Sequence, residues 1–334
     1  MFKLGFLGGG INSIAGRVHL IASQMDRRFE VVGGIFSKNG EKSLLSAKEY
    51  NLKNFSGIRE MEKEVDIVVI LTPTPMHFKN IMQVEKPVII DKPLCSNYLE
   101  AKKILTEKKN IVVTYNYTGY PLIREAKKII KNGVIGKIIK AKFFMSQESF
   151  LKSFKPGYPQ EWRKKDGAIP NLLLDLGMHI FHLAYFLIGD FEILFKKLNN
   201  FSALKVVDDC EIIAKTSNNA VVSFSCSKIM LGELNNFGFE IYGEKGSLKW
   251  YQNNCEELLL TKDNEIKKIN RNNAIFEANK SRYNRMVPGH PSGYLEAFAN
   301  YYCDIFDYFN RGNSEFIDNI DVSVELLRKI DDTF

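Results

Sequence analysis

Three glycines near the start of the chain narrow its fold more than any other feature. Residues 3–7 form a short apolar run, and Gly8-Gly9-Gly10-Ile11-Asn12-Ser13 follows it directly. Beyond the glycines comes helical periodicity through Leu20, Ile21, Met25 and Phe29. A strand that turns on glycines into a helix leaves free N–H groups and the positive end of the helix dipole at the turn. The alternation continues in runs 30–36, 66–71, 88–91 and 111–115, each short, apolar or β-branched, and bounded by turn or charged residues. Short strands alternating with helices predict right-handed βαβ units and a parallel sheet of Rossmann type.

On that frame the glycine turn is a candidate dinucleotide site. Gly8 permits the tight turn and Gly10 lets a pyrophosphate approach the backbone, with Ile11 and Asn12 completing the loop. The third position of the GxGxxG pattern is Ser13, small enough for helix and strand to pack closely. A glycine-rich turn alone is weak evidence, since many are only turns; its strand–turn–helix setting favours the cofactor reading. The second strand of such a fold normally ends in a carboxylate that binds the adenosine ribose. Here it ends in Ser37 and Lys38, which suit a 2′-phosphate and lean toward NADP over NAD, although Lys38 is equally an ordinary solvated residue. After the third run comes Thr72-Pro73-Thr74-Pro75-Met76-His77, and after the fourth Asp91-Lys92-Pro93. Thr72, Pro73, His77, Asp91 and Lys92 therefore join the candidate cofactor contacts, at the carboxyl edge where such sheets bind ligands.

The pattern changes near residue 120. Residues 122–131 read as a helix, and strand-like runs follow at 137–145, 210–216, 220–227, 237–242, 247–251 and 258–261. Turn sequences such as Ser217-Asn218-Asn219 join them, which predicts a mostly antiparallel open sheet. Helical stretches at 172–187 and 293–309 complete an α+β domain. The expected division is 1–119 for the nucleotide-binding domain and 120–334 for the substrate-binding domain.

Composition excludes several classes. The formal charge of +7 is spread through helical lysines such as Lys102, Lys103, Lys108 and Lys109, with no dense basic run interleaved with aromatics. No nucleic-acid partner is expected. The five cysteines, Cys95, Cys210, Cys226, Cys255 and Cys303, show no CxxC spacing. That argues against a disulfide framework and a zinc site, and fits a reducing compartment. No signal-peptide pattern opens the chain and no apolar stretch approaches a membrane span, so a cytoplasmic protein without membrane contact is expected.

Together these segments resemble the glucose–fructose oxidoreductase and inositol dehydrogenase family, Gfo/Idh/MocA, over nearly the whole chain. Gly8-Gly9-Gly10 with Ser13, Gly16 and His19 resembles the family's opening. Thr72-Pro73-Thr74 with His77 is similar to its TPxxxH segment, and Asp91-Lys92-Pro93 stands in place of its Glu-Lys-Pro signature. Asn116-Tyr117 resembles the start of its NYRF-type linker without the following Arg; Asp175-Leu176-Gly177-Met178-His179 matches its DxGxH segment. Gly289-His290-Pro291 and the residues from Gly293 to Phe298 are similar to a segment found in part of the family. Asp91 for Glu shortens one side chain by a methylene, and the last residues read as a trimmed final helix. The resemblance implies an NAD(P)-dependent dehydrogenase acting on a sugar, an inositol or a sugar derivative, nucleotide-linked ones included. It also implies a homodimer or homotetramer paired through the open sheet.

Oxidation of a secondary alcohol needs a base for the hydroxyl proton and a hydride acceptor facing the carbinol C–H. His179 is the candidate base, because imidazole titrates near neutrality. Asp175, four residues earlier on the helix, is placed to orient that ring or to bind a substrate hydroxyl. Lys92 is placed to stabilise developing alkoxide charge. Asp175 and His179 also fit an ordinary helical pair. His182, three residues past His179, has no clustered Cys or His to make a metal site, and is counted as a substrate contact or a packed ring. Trp162 and Arg163 suit a sugar platform and a polar clamp, or equally core and surface. His290 is read as preceding a helix, and the stripe Phe298, Tyr301, Tyr302, Ile305, Phe309 as helix core. Two other functions remain: a non-catalytic dinucleotide sensor, and a reductase of an imine or a linear tetrapyrrole.

Overall fold

The computed structural model describes residues 1–108, 110–152 and 159–331. The chain forms two compact units. One comprises Met1–Gly119 and Tyr294–Arg328; the other comprises Tyr120–Gly293 and the chain from Lys329.

In the first unit β1 (Phe2–Gly8), β2 (Phe29–Ile35), β3 (Lys53–Asn54), β4 (Ile67–Leu71), β5 (Val88–Asp91) and β6 (Ile111–Thr114) make one sheet. Its order is β3-β2-β1-β4-β5-β6, with every pairing parallel. This 3-2-1-4-5-6 order is that of dinucleotide-binding sheets. The helices α1 (Ile14–Gln24), α2 (Gly40–Tyr50), α3 (Ile58–Glu62), α4 (His77–Gln83) and α5 (Tyr98–Glu107) fall between successive strands. Every residue of β4 and β6 is buried, as a parallel sheet covered on both faces requires. The five expected runs are five of the six strands. The sixth, β3, has two residues and is too short to register as a run.

The second unit begins with α6 (Pro121–Lys131) and β7 (Ile138–Ser146). A π-helical turn, Leu173–Gly177, leads into α7 (Met178–Ile188). Then come β8 (Phe191–Asn199), β9 (Asp209–Thr216), β10 (Val221–Ser227), β11 (Asn236–Gly243), β12 (Gly246–Tyr251), β13 (Leu258–Lys262) and β14 (Glu265–Ile269). The eight strands lie in the order β14-β13-β12-β11-β7-β10-β9-β8, antiparallel throughout except for β7 with β10. Strand alternation buries Phe143, Ile212, Val222, Phe224, Phe239 and Trp250 on one face. The register sets Lys142 opposite Glu240 and Glu240 opposite Lys249 on the other face. A parallel sheet in one unit and a mostly antiparallel one in the other make the expected fold class. Reading the sequence missed β8 and β14, the two edge strands. A register shift between Ile193 and Phe195 breaks the alternation of β8, and four of the five residues of β14 are exposed, so neither carries a clean period.

Between β14 and Gly293 the backbone is largely irregular, and buried charges hold it. The carboxylate of buried Glu125 on α6 accepts the N–H groups of Ile275, Phe276, Glu277 and Ala278. Buried Arg271 donates to Glu256, Asn284 and the carbonyl of His290. The ring of His290 itself is exposed.

From Tyr294 to Arg328 the chain belongs to the first unit. There α8 (Tyr294–Arg311) packs on α1, with Phe2, Phe29 and His19 against Phe306, Tyr302 and Phe298. The helix α9 (Ile320–Ile330) follows, and Ser323 bonds the hydroxyl of Tyr115 at 3.0 Å. All five cysteines are free thiols. No helix among the described residues is long and apolar enough to cross a membrane.

Candidate active site

The glycine turn is shaped by positions that admit no side chain. Gly8 has φ +93° and Gly9 φ +75°, left-handed backbone that glycine adopts without strain. A Cβ on Gly8 would come within 2.7 Å of the Leu71 carbonyl at the end of β4. Gly10 faces Ser46 and the Phe36 carbonyl, where a Cβ would sit 2.9 and 3.0 Å away. The close packing expected at Ser13 falls instead at Gly16, where a Cβ would lie 1.9 Å from the Gly9 carbonyl oxygen. Ser13 is the N-cap of α1, its hydroxyl accepting from the Gly16 N–H at 3.1 Å. Around the turn, Ser46 accepts from the Ile11 N–H, and Tyr50 donates to the Gly9 carbonyl. The first turn of α1 carries no acidic residue, so its positive end is not neutralised. A capped helix start without a carboxylate, behind a turn with no side chains, fits the diphosphate of a dinucleotide.

The other cofactor candidates lie in the same unit. Ser37 and Lys38 follow β2, the hydroxyl of Ser37 accepting from the Asn39 N–H and the exposed Lys38 reaching the Met76 sulfur at 3.6 Å. His77, buried, holds two loops together. Its Nδ1 lies 2.8 Å from the Pro93 carbonyl and its Nε2 2.8 Å from the Thr72 carbonyl. Burial pushes its pKa below the ordinary imidazole value, against those two carbonyls and Asp91. Thr72 accepts from Asn80. Pro73 is exposed at the loop's start, Asn12 is exposed, and Lys92 is half-buried.

Asp91 occupies the end of β5. Its Oδ1 accepts the Lys92 N–H and the Thr114 hydroxyl, each at 3.1 Å. His19 stands behind it, with Nε2 3.7 Å from the same oxygen, too far for a hydrogen bond but close enough for charge to act. Burial works to raise the carboxyl's pKa; His19, Lys92 and His77 outweigh it and bring it to about 2.

The remaining candidates belong to the second unit. Asp175 sits in the π-helical turn, with one oxygen shared by two cations. Lys228 Nζ lies 2.7 Å from Asp175 Oδ2, and Arg163 pairs with the same oxygen. Arg163 comes from a 3-10 turn, Glu161–Lys164, and its guanidinium lies 4.3 Å over the half-buried Trp162 ring. One face of Trp162 is thus covered by Arg163. His179 is buried in the first turn of α7, edge-on to Phe237, and His182 is buried and stacked on Phe186. Sequence reading named Gly16 and His19 only as part of the family's opening, without the close packing of one or the pairing of the other with Asp91, and it did not name Lys228. A signal existed for the last. Val222, Phe224 and Cys226 point to the core along β10, and Lys228 continues their parity.

A 3-2-1-4-5-6 parallel sheet with this glycine turn, ahead of a mostly antiparallel second unit, defines a dinucleotide-dependent oxidoreductase. The chain belongs to the GFO/IDH/MocA family. It matches that oxidoreductase family's NAD-binding Rossmann fold over residues 2–118 and the GFO/IDH/MocA C-terminal domain over 123–249. It is 28% identical to an oxidoreductase from Sinorhizobium meliloti, with TM-score 0.84 over 99% of this chain and 95% of that one. An inositol dehydrogenase homologue from Azotobacter vinelandii, solved with NADH and myo-inositol, shares the fold at 22% identity, TM-score 0.87, over 98% and 93% of the chains. Levoglucosan dehydrogenase of Pseudarthrobacter phenanthrenivorans is 26% identical over 298 residues, 77% of this chain and 75% of its own length. The chain is an enzyme, and its cofactor is a nicotinamide dinucleotide.

Proposed function

We propose that the enzyme transfers hydride between the nicotinamide cofactor and a secondary alcohol or ketone of a sugar, an inositol or a sugar derivative. The observation that carries this reading is the ionic cluster at Asp175 with His179 one helical turn on. A carboxylate held by two cations accepts a hydroxyl hydrogen bond, and a neighbouring imidazole takes the hydroxyl proton. Lys92, beside Asp91 at the carboxyl end of β5, supplies positive charge for the developing alkoxide. Trp162, Arg163 and His182 serve the substrate's other groups. The levoglucosan dehydrogenase and the inositol-bound homologue support a polyhydroxylated substrate.

Ser37 and Lys38 favour NADP over NAD in this reading, since neither brings a carboxylate to repel a 2′-phosphate. We further propose a cytoplasmic homodimer or homotetramer formed through the outer face of the eight-stranded sheet, where Ile213 and Val221 are exposed. Light scattering on the purified protein tests the assembly. The activity is tested by offering sugars, inositols and nucleotide sugars with each cofactor and following the nicotinamide absorbance. Turnover of a polyol or sugar supports it, and turnover only of an imine or a tetrapyrrole overturns it.

A further inference from the structure

One of the two cations that hold Asp175 is a buried lysine of the second unit. Lys228 stands one residue past β10, with its side chain 1% exposed. A lysine deprived of hydration is retained only where other groups replace the water. Its Nζ donates to Asp175 Oδ2 at 2.7 Å and lies 4.7 Å over the ring of Phe150. The backbone fixes it from both sides: its N–H donates to the Asp208 carbonyl at 2.8 Å, and its carbonyl accepts from Phe150 N–H at 2.9 Å. Lys228 is therefore anchored before its side chain reaches Asp175, which suits a group that sets another's position.

We propose that Lys228 is a positioning residue for the reaction: with Arg163 it clamps Oδ2 of Asp175, so that Asp175 stays ionised and fixed where it binds a substrate hydroxyl. This rests on the reading of Asp175 and His179 as the substrate-binding and proton-accepting pair. Two cations on one oxygen disfavour protonation of that carboxylate. The segments that carry the cluster hold other charged and titratable groups. His179 lies one turn on. The carboxylate of Asp166 is taken by the N–H groups of Asn171 and Val207, and that of Glu148 by Gly232 N–H and Lys152. In alcohol oxidation the carbinol hydride leaves to the nicotinamide and the hydroxyl proton passes to the imidazole of His179, which becomes imidazolium. The substrate becomes the ketone, and Asp175 ends the step as the carboxylate it began.

Carbon-13 NMR of the full-length protein, labelled at aspartate carboxyls and with the Asp175 signal assigned by its loss in Asp175→Asn, tests the clamp without any substrate. In Lys228→Met the Asp175 carboxyl is expected to titrate at least about one unit higher than in the wild type. Identical Asp175 shifts at every pH where both proteins are folded overturn the proposal. Should Lys228→Met not fold, the wild type decides: a midpoint at or above the ordinary aspartate value of about 3.9 overturns it, and a lower one supports it. With a substrate in hand, Lys228→Met is expected to raise KM about tenfold. NADH affinity stays within about twofold, a margin well under 1 kcal/mol. Lys228→Arg, which keeps the charge, restores part of the loss. An unchanged KM overturns the proposal. A screen in which the wild type turns over no sugar or inositol counts against the dehydrogenase reading alone, and the NMR comparison still decides the clamp.

Discussion

Tyr302 on α8 hydrogen-bonds Nδ1 of His19 on α1 at 2.7 Å, across 283 residues of sequence. Both side chains are buried, and the two rings meet edge to face. The contact ties the returning C-terminal helix to the first helix of the dinucleotide fold, and orders the ring that faces Asp91. Tyr302→Phe leaves a buried ring nitrogen without its partner and is expected to destabilise the protein by about 1–3 kcal/mol, read by urea unfolding. An unchanged midpoint would show that the bond carries no net stability.

The glycine turn makes a second prediction. Gly16→Ala forces the helix away from the Gly9 carbonyl and distorts the turn, so NADH affinity is expected to fall at least about tenfold by calorimetry. Gly40→Ala at the start of α2 is the control: a methyl there would have nothing within 4 Å, and the variant is expected to bind NADH as the wild type does.

Asp91 predicts a pH dependence. Its folded pKa of about 2 lies below the value of about 3.9 expected in the unfolded chain. A depressed carboxyl contributes stability that is fully present above the unfolded value and lost as pH falls toward the folded one. Asp91→Asn is therefore expected to lose at most about 2.6 kcal/mol at neutral pH. The gap from wild type should close between about pH 4 and pH 2. Thermal unfolding at a series of pH values measures it, and a gap that persists unchanged at the acid end contradicts the assignment.

The proposed chemistry predicts that His179→Ala lowers turnover by about 10²–10⁴-fold while cofactor affinity is nearly kept. Lys92→Ala is expected to act similarly, with some loss of substrate binding. Near-normal turnover by both variants on an identified substrate removes the proposed roles. If Asp175→Ala alone proves benign, the base and the lysine stand and Asp175 becomes a structural residue.

The preference for NADP rests on Lys38, an exposed side chain after β2. Lys38→Ala is expected to lower the ratio of NADP to NAD affinity, measured by titrating each cofactor. An unchanged ratio returns Lys38 to the solvated surface.

What the sequence determined by itself is what local spacing encodes. Short apolar runs with helices between them specified the parallel sheet, because strands buried on both faces must be apolar throughout. Glycines at 8 and 10, directly after a strand, specified the turn, because left-handed backbone and close approach exclude side chains. Ser217-Asn218-Asn219 marked a hairpin, with Asn219 at φ +62°. Tertiary structure alone decided the rest. Nothing local in residues 294–311 says that they belong with residues 1–119, since an amphipathic helix shows that it has a buried face and not whose core receives it. Gly16 reads as a small helical residue until the Gly9 carbonyl is seen against its Cα. Lys228 reads as a charge ending a strand, although its parity was that of the core. Its pairing with Asp175, 53 residues away, depends on where β10 ends relative to the π-helical turn. Such contacts join groups distant in sequence, and no periodicity records them.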